Sequence, residues 1–139
     1  MPNYNVDMKE NILTIITPKT NVVYLNDSMT IRQGLEKLRA HGYSAVPVIK
    51  EDGTYYGVVS EGDFLWKLLD DNIITIEELE NTKVKDIIRK NVPACKIDAS
   101  IDDLISFVCE YNFVPIVDDR HILMGIITRK SIINYYKKA

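Results

Sequence analysis

The chain has 139 residues, enough for one ordinary domain or for two small units sharing a core. Hydrophobic residues make up 46% and charged residues 27%, which excludes a disordered tail and a fibre. Seventeen basic against twenty acidic residues leave a net charge of −3, a poor match to a phosphate backbone, so no nucleic-acid partner is expected.

Met1–Lys9 is too polar for a secretory signal, and no apolar run approaches the roughly 20 residues of a membrane-spanning helix. A soluble, cytoplasmic protein with no membrane partner is expected. Met8, Ile12 and Ile15 or Ile16 fall at helical spacing and predict a helix within residues 1–16. It should end before Thr17-Pro18, because proline biases the preceding residue away from helix. Val22–Leu25 is a short apolar run, followed by polar Asn26-Asp27-Ser28. Ile31, Leu35 and Leu38 predict an amphipathic helix from about Thr30 to His41, closed by Gly42, a residue that tolerates positive φ. Ala45–Ile49 and Tyr55–Ser60 read as strands joined by a turn at Asp52-Gly53, and a helix follows from Gly62 through Leu69. Asp70-Asp71-Asn72 opens a connector in which Thr75-Ile76-Glu77-Glu78 is a capping-box pattern. Ile87 and Ile88 are expected in a second short helix before Asn91-Val92-Pro93. Ser100 caps a helix carrying Ile101, Leu104, Ile105 and Val108, with Asp103 at the capping-box position. Strands Val114–Val117 and Met124–Thr128 and a helix from Arg129 to about Tyr136 complete the chain. Cys95 and Cys109 lack CxxC spacing and sit in apolar, patterned segments, where buried, reduced thiols are expected.

The chain repeats itself. Pro47 and Pro115 are separated by the same 68 positions as Gly57 and Gly125 (115 − 47, 125 − 57). Tyr43-Ser44-Ala45-Val46-Pro47-Val48-Ile49 answers Tyr111-Asn112-Phe113-Val114-Pro115-Ile116-Val117, and Gly57-Val58-Val59-Ser60 answers Gly125-Ile126-Ile127-Thr128. Four anchors in register indicate an internal duplication. The expected organisation is an N-terminal helix over 1–16, a first repeat over 17–69, a connector over 70–82 and a second repeat over 83–139. Each repeat is too small to bury a convincing core alone, so the two should pack through their sheets.

Nothing in the chain argues for catalysis. It has no P-loop, no GxSxG elbow, no HExxH and no paired-cysteine metal site. His41 and His121 lie near loops far apart in sequence, so neither an enzyme nor a metal site is expected.

Strand–helix–strand–strand–helix units with an apolar-Pro-apolar second strand and a Gly-apolar-apolar-Ser/Thr third strand resemble CBS domains, and a tandem pair resembles a Bateman module. The resemblance covers nearly everything from Thr17 to Tyr136 and implies an α/β fold of two β-α-β-β-α repeats. It further implies an adenosine nucleotide ligand (AMP, ADP or ATP), a homodimer, and a regulatory output to an effector protein whose identity is unknown. The first copy carries the fuller signature, Gly57-Val58-Val59-Ser60-Glu61-Gly62-Asp63. There the resemblance puts Ser60 near ribose or phosphate and has Asp63 accept from ribose hydroxyls. The second copy reads Gly125-Ile126-Ile127-Thr128-Arg129-Lys130-Ser131, with Ser131 in place of the aspartate. The residue chemistry agrees: a carboxylate accepts from two vicinal hydroxyls, which a serine does less well. Ser60 and Thr128 fall where a strand gives way to a helix, whose free N–H groups favour an anion. Arg129 adds a planar fork and Lys130 a point charge.

Thr17-Pro18-Lys19-Thr20-Asn21-Val22, Gly42-Tyr43-Ser44-Ala45-Val46-Pro47 and Thr128-Arg129-Lys130 are similar to the small stand-alone CBS-pair proteins of Gram-positive bacteria, some of which bind cyclic di-AMP. In that group Lys19, Ser44, Ala45 and Arg129 match ligand-cleft places. The same resemblance extends the candidate binding set to Val22, Tyr43, Pro47, Val92, Phe113, Val114 and Pro115. Tyr43, Tyr111 and Phe113 are expected as core or cleft wall. Leu65, Trp66, Leu69, Ile132 and Ile133 are expected on faces that pair two copies. An interaction module without a small-molecule ligand is the alternative.

Overall fold

A computed structural model describes residues 8–89 and 91–138; part of the expected helix over 1–16 lies outside these. Its elements follow the chain as α1 (Met8–Ile15), β1 (Thr17–Pro18), a 3-10 turn (Lys19–Asn21), β2 (Leu25–Asn26), α2 (Ile31–His41), β3 (Ala45–Ile49), β4 (Tyr55–Ser60) and α3 (Glu61–Asp70). Then come α4 (Ile76–Asn81), a second 3-10 turn (Val84–Asp86), β5 (Cys95–Lys96), α5 (Ile101–Glu110), β6 (Phe113–Val117), β7 (Leu123–Thr128) and α6 (Arg129–Lys138). The expected α/β repeat is present twice.

The described residues form two compact units: one lies within 23–93, the other within 8–22 and 94–138. Each unit therefore contains the lead-in segment of the other repeat. In the first unit the sheet order is β2-β3-β4, and in the second β1-β7-β6-β5. β3 pairs antiparallel with β4, and β6 with β7, each with a register shift one residue beyond its proline. The parallel neighbours β2 and β5 pair with β3 and β6 only beyond Pro47 and Pro115. A residue without an N–H thus stands where that neighbour makes no ladder bond. β1 lies antiparallel on β7 through Thr17–Ile126 and Pro18–Gly125. In the first unit Arg89 takes the corresponding place on β4, its N–H and C=O both bonded to Val58 at 2.9 and 3.1 Å.

The helix starts and stops follow local chemistry. Thr30 and Gln33 cap α2 reciprocally, as Ser100 and Asp103 cap α5. Gly42 closes α2 at φ 69°, where a side chain would be strained. The core of the first unit gathers Leu25, Ile31, Leu38, Val46, Val48, Val59, Phe64 and Val84. In the second unit Leu104, Val114, Ile116 and Ile127 are fully buried.

Three expectations need correction. The apolar run Val22–Leu25 reaches a strand only at its last residue: β2 is Leu25–Asn26, because pairing with β3 carries it into the polar stretch, and Asp27 continues it by donating to the Ile49 carbonyl. Ile87 and Ile88 are not in a helix: the 3-10 turn ends at Asp86, and the chain extends to pair Arg89 with Val58. Cys109 is exposed, because the inward face of α5 is taken by Leu104, Phe107 and Val108. Cys95 is half-buried, and burial pushes its thiol up, with the charge of Asp103 acting in the same direction. Both cysteines are free.

Candidate functional site

The first unit builds its candidate site where β4 passes into α3. Ser60 is extended (φ −118°, ψ 164°) and caps the helix. Its hydroxyl accepts the Asp63 N–H at 3.3 Å, and Asp63 Oδ2 accepts the Ser60 N–H at 2.8 Å and the Ser60 hydroxyl at 3.0 Å. The next N–H, that of Glu61, donates to the Ser44 carbonyl at 2.8 Å. Ala45 lies opposite Ser60 across the β3–β4 ladder. Ser44, Ala45, Ser60 and Asp63, far apart in sequence, thus come together. Pro47 is buried in β3, and Val92 is buried with its carbonyl accepting from the Tyr55 hydroxyl at 2.8 Å. Tyr43 is not a core residue: it is 49% exposed and stacks with His41 at a ring separation of 6.4 Å. Tyr43 lies between Gly42, which closes α2, and the start of β3 at Ala45.

One further residue belongs to this corner that no sequence motif singles out. Arg89, fixed by its backbone pair to Val58, donates from Nε to Asp63 Oδ2 at 3.1 Å. Glu61 and Asp63 put two acids in the first turn of α3, and Arg89 is the cation bonded to Asp63. A signal for it exists: Ile15-Ile16-Thr17 and Ile87-Ile88-Arg89 are matching lead-ins to the two repeats.

The second unit repeats the corner with different chemistry. Thr128 Oγ1 accepts the Ser131 N–H at 3.0 Å, and the two hydroxyls lie 2.8 Å apart. The Arg129 N–H donates to the Asn112 carbonyl at 3.0 Å, as Glu61 does to Ser44. The Arg129 side chain turns back on α5, with Nε to the Val108 carbonyl at 2.9 Å and Nη2 to the Tyr111 carbonyl at 3.3 Å. Arg129 is thus a cap of the α5 C-terminus, whose last carbonyls lack helical partners. Arg129→Ala is expected to lower stability by about 1 kcal/mol, read from thermal unfolding, with lysine recovering part of it. Lys130 is exposed, while Phe113, Val114 and Pro115 are buried in β6. Lys19 lies in the 3-10 turn just after the Pro18–Gly125 pair, and Val22 closes that turn by donating its N–H to the Lys19 carbonyl at 3.1 Å.

Two further surfaces stand out. On α3, Leu65, Trp66 and Leu69 are exposed, Trp66 to 64%. Along α5 and α6 an open apolar groove of about 450 Å³ is lined by Ile105, Val108, Cys109, Ile132, Ile133 and Tyr136. Ile133 is exposed there, whereas Ile132 is largely buried within its own unit. Among the described residues no group of three or more His, Cys, Asp or Glu could hold a metal ion. No described helix is long and apolar enough to cross a membrane.

Comparison with known proteins agrees with this arrangement. A family model described as CBS domain matches residues 10–70 and 84–138. A Methanocaldococcus jannaschii protein, MJ1426, is 28% identical, the match covering 93% of each chain. Cyclic di-AMP receptor B of Bacillus subtilis is 21% identical over 84% of this chain and 80% of its own. Homoserine O-acetyltransferase of Methanococcus vannielii is 25% identical over 86% of this chain, which spans 23% of that enzyme. Among solved structures, CbpB in complex with c-di-AMP superposes with a TM-score of 0.82 at 22% identity, covering 94% of this chain and 90% of that one. CBSX2 in complex with AMP gives 0.74 at 24% identity, covering 90% and 94%.

Proposed function

The chain belongs to the CBS-domain family, and on that premise we propose that it is a regulatory pair that binds an adenine-containing nucleotide and passes its occupancy to a partner protein in trans. The observation that carries the reading is the Ser60–Asp63 corner, where a carboxylate sits at a strand–helix junction with Oδ1 left without a partner among the described residues. Oδ1 can accept a ribose hydroxyl while Oδ2 stays fastened. The ligands of similar proteins, AMP and cyclic di-AMP, support the ligand class. No reaction is proposed for it. The reading includes a cytoplasmic place, which the two free cysteines support.

Equilibrium dialysis against AMP, ADP, ATP and cyclic di-AMP tests it. Asp63→Ala is expected to cost about tenfold in affinity for a mononucleotide, through ribose donors left unpaired, with the fold retained. Binding of none of the four would leave the interaction-module alternative standing. Arg129→Ala separates the ligands: a loss of about tenfold for cyclic di-AMP, with AMP unchanged, would place a phosphate at the second repeat, against guanidinium N–H groups that the Val108 and Tyr111 carbonyls do not take.

The reading also includes a homodimer. The exposed Leu65, Trp66 and Leu69 and the groove bearing Ile133 and Tyr136 are apolar faces of the kind that a second copy covers. Sedimentation at micromolar concentration is expected to show a dimer; a clean monomer would count against it.

A further inference from the structure

We infer that Arg89 is the phosphate-recognising residue of the first-repeat site, making that site selective for nucleoside phosphates over nucleosides. The inference rests on the nucleotide reading above and adds a residue and a selectivity to it. Arg89 lends Nε to Asp63 Oδ2 at 3.1 Å. Its Nη1 and Nη2, carrying four further N–H donors, have no partner among the described residues. An arginine held at one edge keeps the other for an anion, and guanidinium geometry suits two phosphate oxygens at once.

Charge makes the argument specific. Glu61 and Asp63 stand in the first turn of α3, so the corner that should receive a ribose phosphate is otherwise acidic. A phosphate arriving beside Asp63 meets like charge within a few ångströms unless a cation is bound there. Arg89 supplies that cation from a backbone pinned to β4 on both N–H and C=O. The side chain of Asp63 is 19% exposed and that of Arg89 44%, so the pair has a protected carboxylate and an accessible guanidinium.

The second repeat acts as an internal control. Thr17 occupies on β7 the place that Arg89 occupies on β4, and Ser131 occupies the place of Asp63. The unit that keeps the aspartate has the arginine, and the unit that lacks the aspartate lacks the arginine.

Calorimetric titration of wild type, Arg89→Ala, Arg89→Gln and Asp63→Ala with AMP and with adenosine tests the inference. Wild type is expected to prefer AMP over adenosine by about tenfold; in both Arg89 variants that preference should shrink to within about twofold, the loss falling on AMP. Glutamine keeps the stem and a donor to Asp63, so it serves if alanine disturbs the fold. Asp63→Ala should instead weaken both ligands. An undiminished AMP preference in folded Arg89→Gln overturns the inference while leaving the nucleotide reading intact. Failure of wild type to bind either ligand, or wild-type binding by Asp63→Ala, overturns the first-repeat reading and the inference with it.

Discussion

Phe64→Ala is expected to lower the stability of the protein by about 3–5 kcal/mol, the range for deleting a buried phenyl ring. Phe64 is fully buried and is the buried residue of α3. Its ring lies so close to α2 that a Cβ placed on Gly34 would stand 3.0 Å from Cζ, so the glycine there makes room for the ring. Leu25, Ile31, Leu38, Val46, Val48, Val59 and Val84 complete the surroundings. These come from strands and helices already fixed by ladders and caps, so the space left by the ring cannot collapse. Against the roughly 5–15 kcal/mol that holds a domain, that loss is a large share. Because Leu65, Trp66 and Leu69 are exposed, α3 has little else to keep it docked, and the Ser60–Asp63 corner should go with it. Urea unfolding measures the effect as a fall in midpoint at constant slope. Phe64→Leu, which keeps most of the volume, should cost less than about 1.5 kcal/mol. A loss below that figure for alanine would mean that the cavity refills.

Strands β3 and β4 were legible in sequence because each is a continuous apolar run and Asp52-Gly53 separates them. Gly53 takes φ 90°, and Asp52 accepts the Thr54 N–H, as the dipeptide suggests. The caps at Thr75 and Ser100 were legible for the same local reason: each hydroxyl accepts an N–H three residues on. What failed was decided by partners remote in sequence. Ile87-Ile88 looks helical by composition, but Ile88 packs against Gly57 and the chain is drawn out along β4. The Asp63–Arg89 pair spans 26 residues, and nothing in either neighbourhood announces the other. Arg129 was readable as a cation at a helix start; that it spends itself on carbonyls of the preceding helix follows from the turn between α5 and β6, which no local pattern encodes. The repeat itself held the missing information. Once Thr17 and Arg89 are seen as equivalent lead-in positions, each follows from the other.

Gly57→Ala is expected to cost about 3 kcal/mol, at the upper end for an added methyl group in a packed site, since backbone rather than a flexible side chain stands in the way. A Cβ at Gly57 would run into the Arg89 carbonyl oxygen and lie 3.0 Å from Ile88 Cγ1. That oxygen accepts the Val58 N–H, so moving it away breaks both bonds of the Val58–Arg89 pair. Gly125→Ala meets the Thr17 carbonyl and the Ile16 side chain in the same manner, so its cost in stability should be similar. The two differ in what they carry. Shifting the chain at Thr17 moves a threonine, whereas shifting it at Arg89 withdraws the guanidinium from Asp63. Gly57→Ala should therefore weaken mononucleotide binding under conditions where the variant is still folded, and Gly125→Ala should leave that binding close to wild type. Thermal unfolding and AMP titration of the two variants side by side measure both effects. Equal stability losses with equal affinity losses would mean that the lead-in segment serves the fold alone and that Arg89 is not held for the ligand.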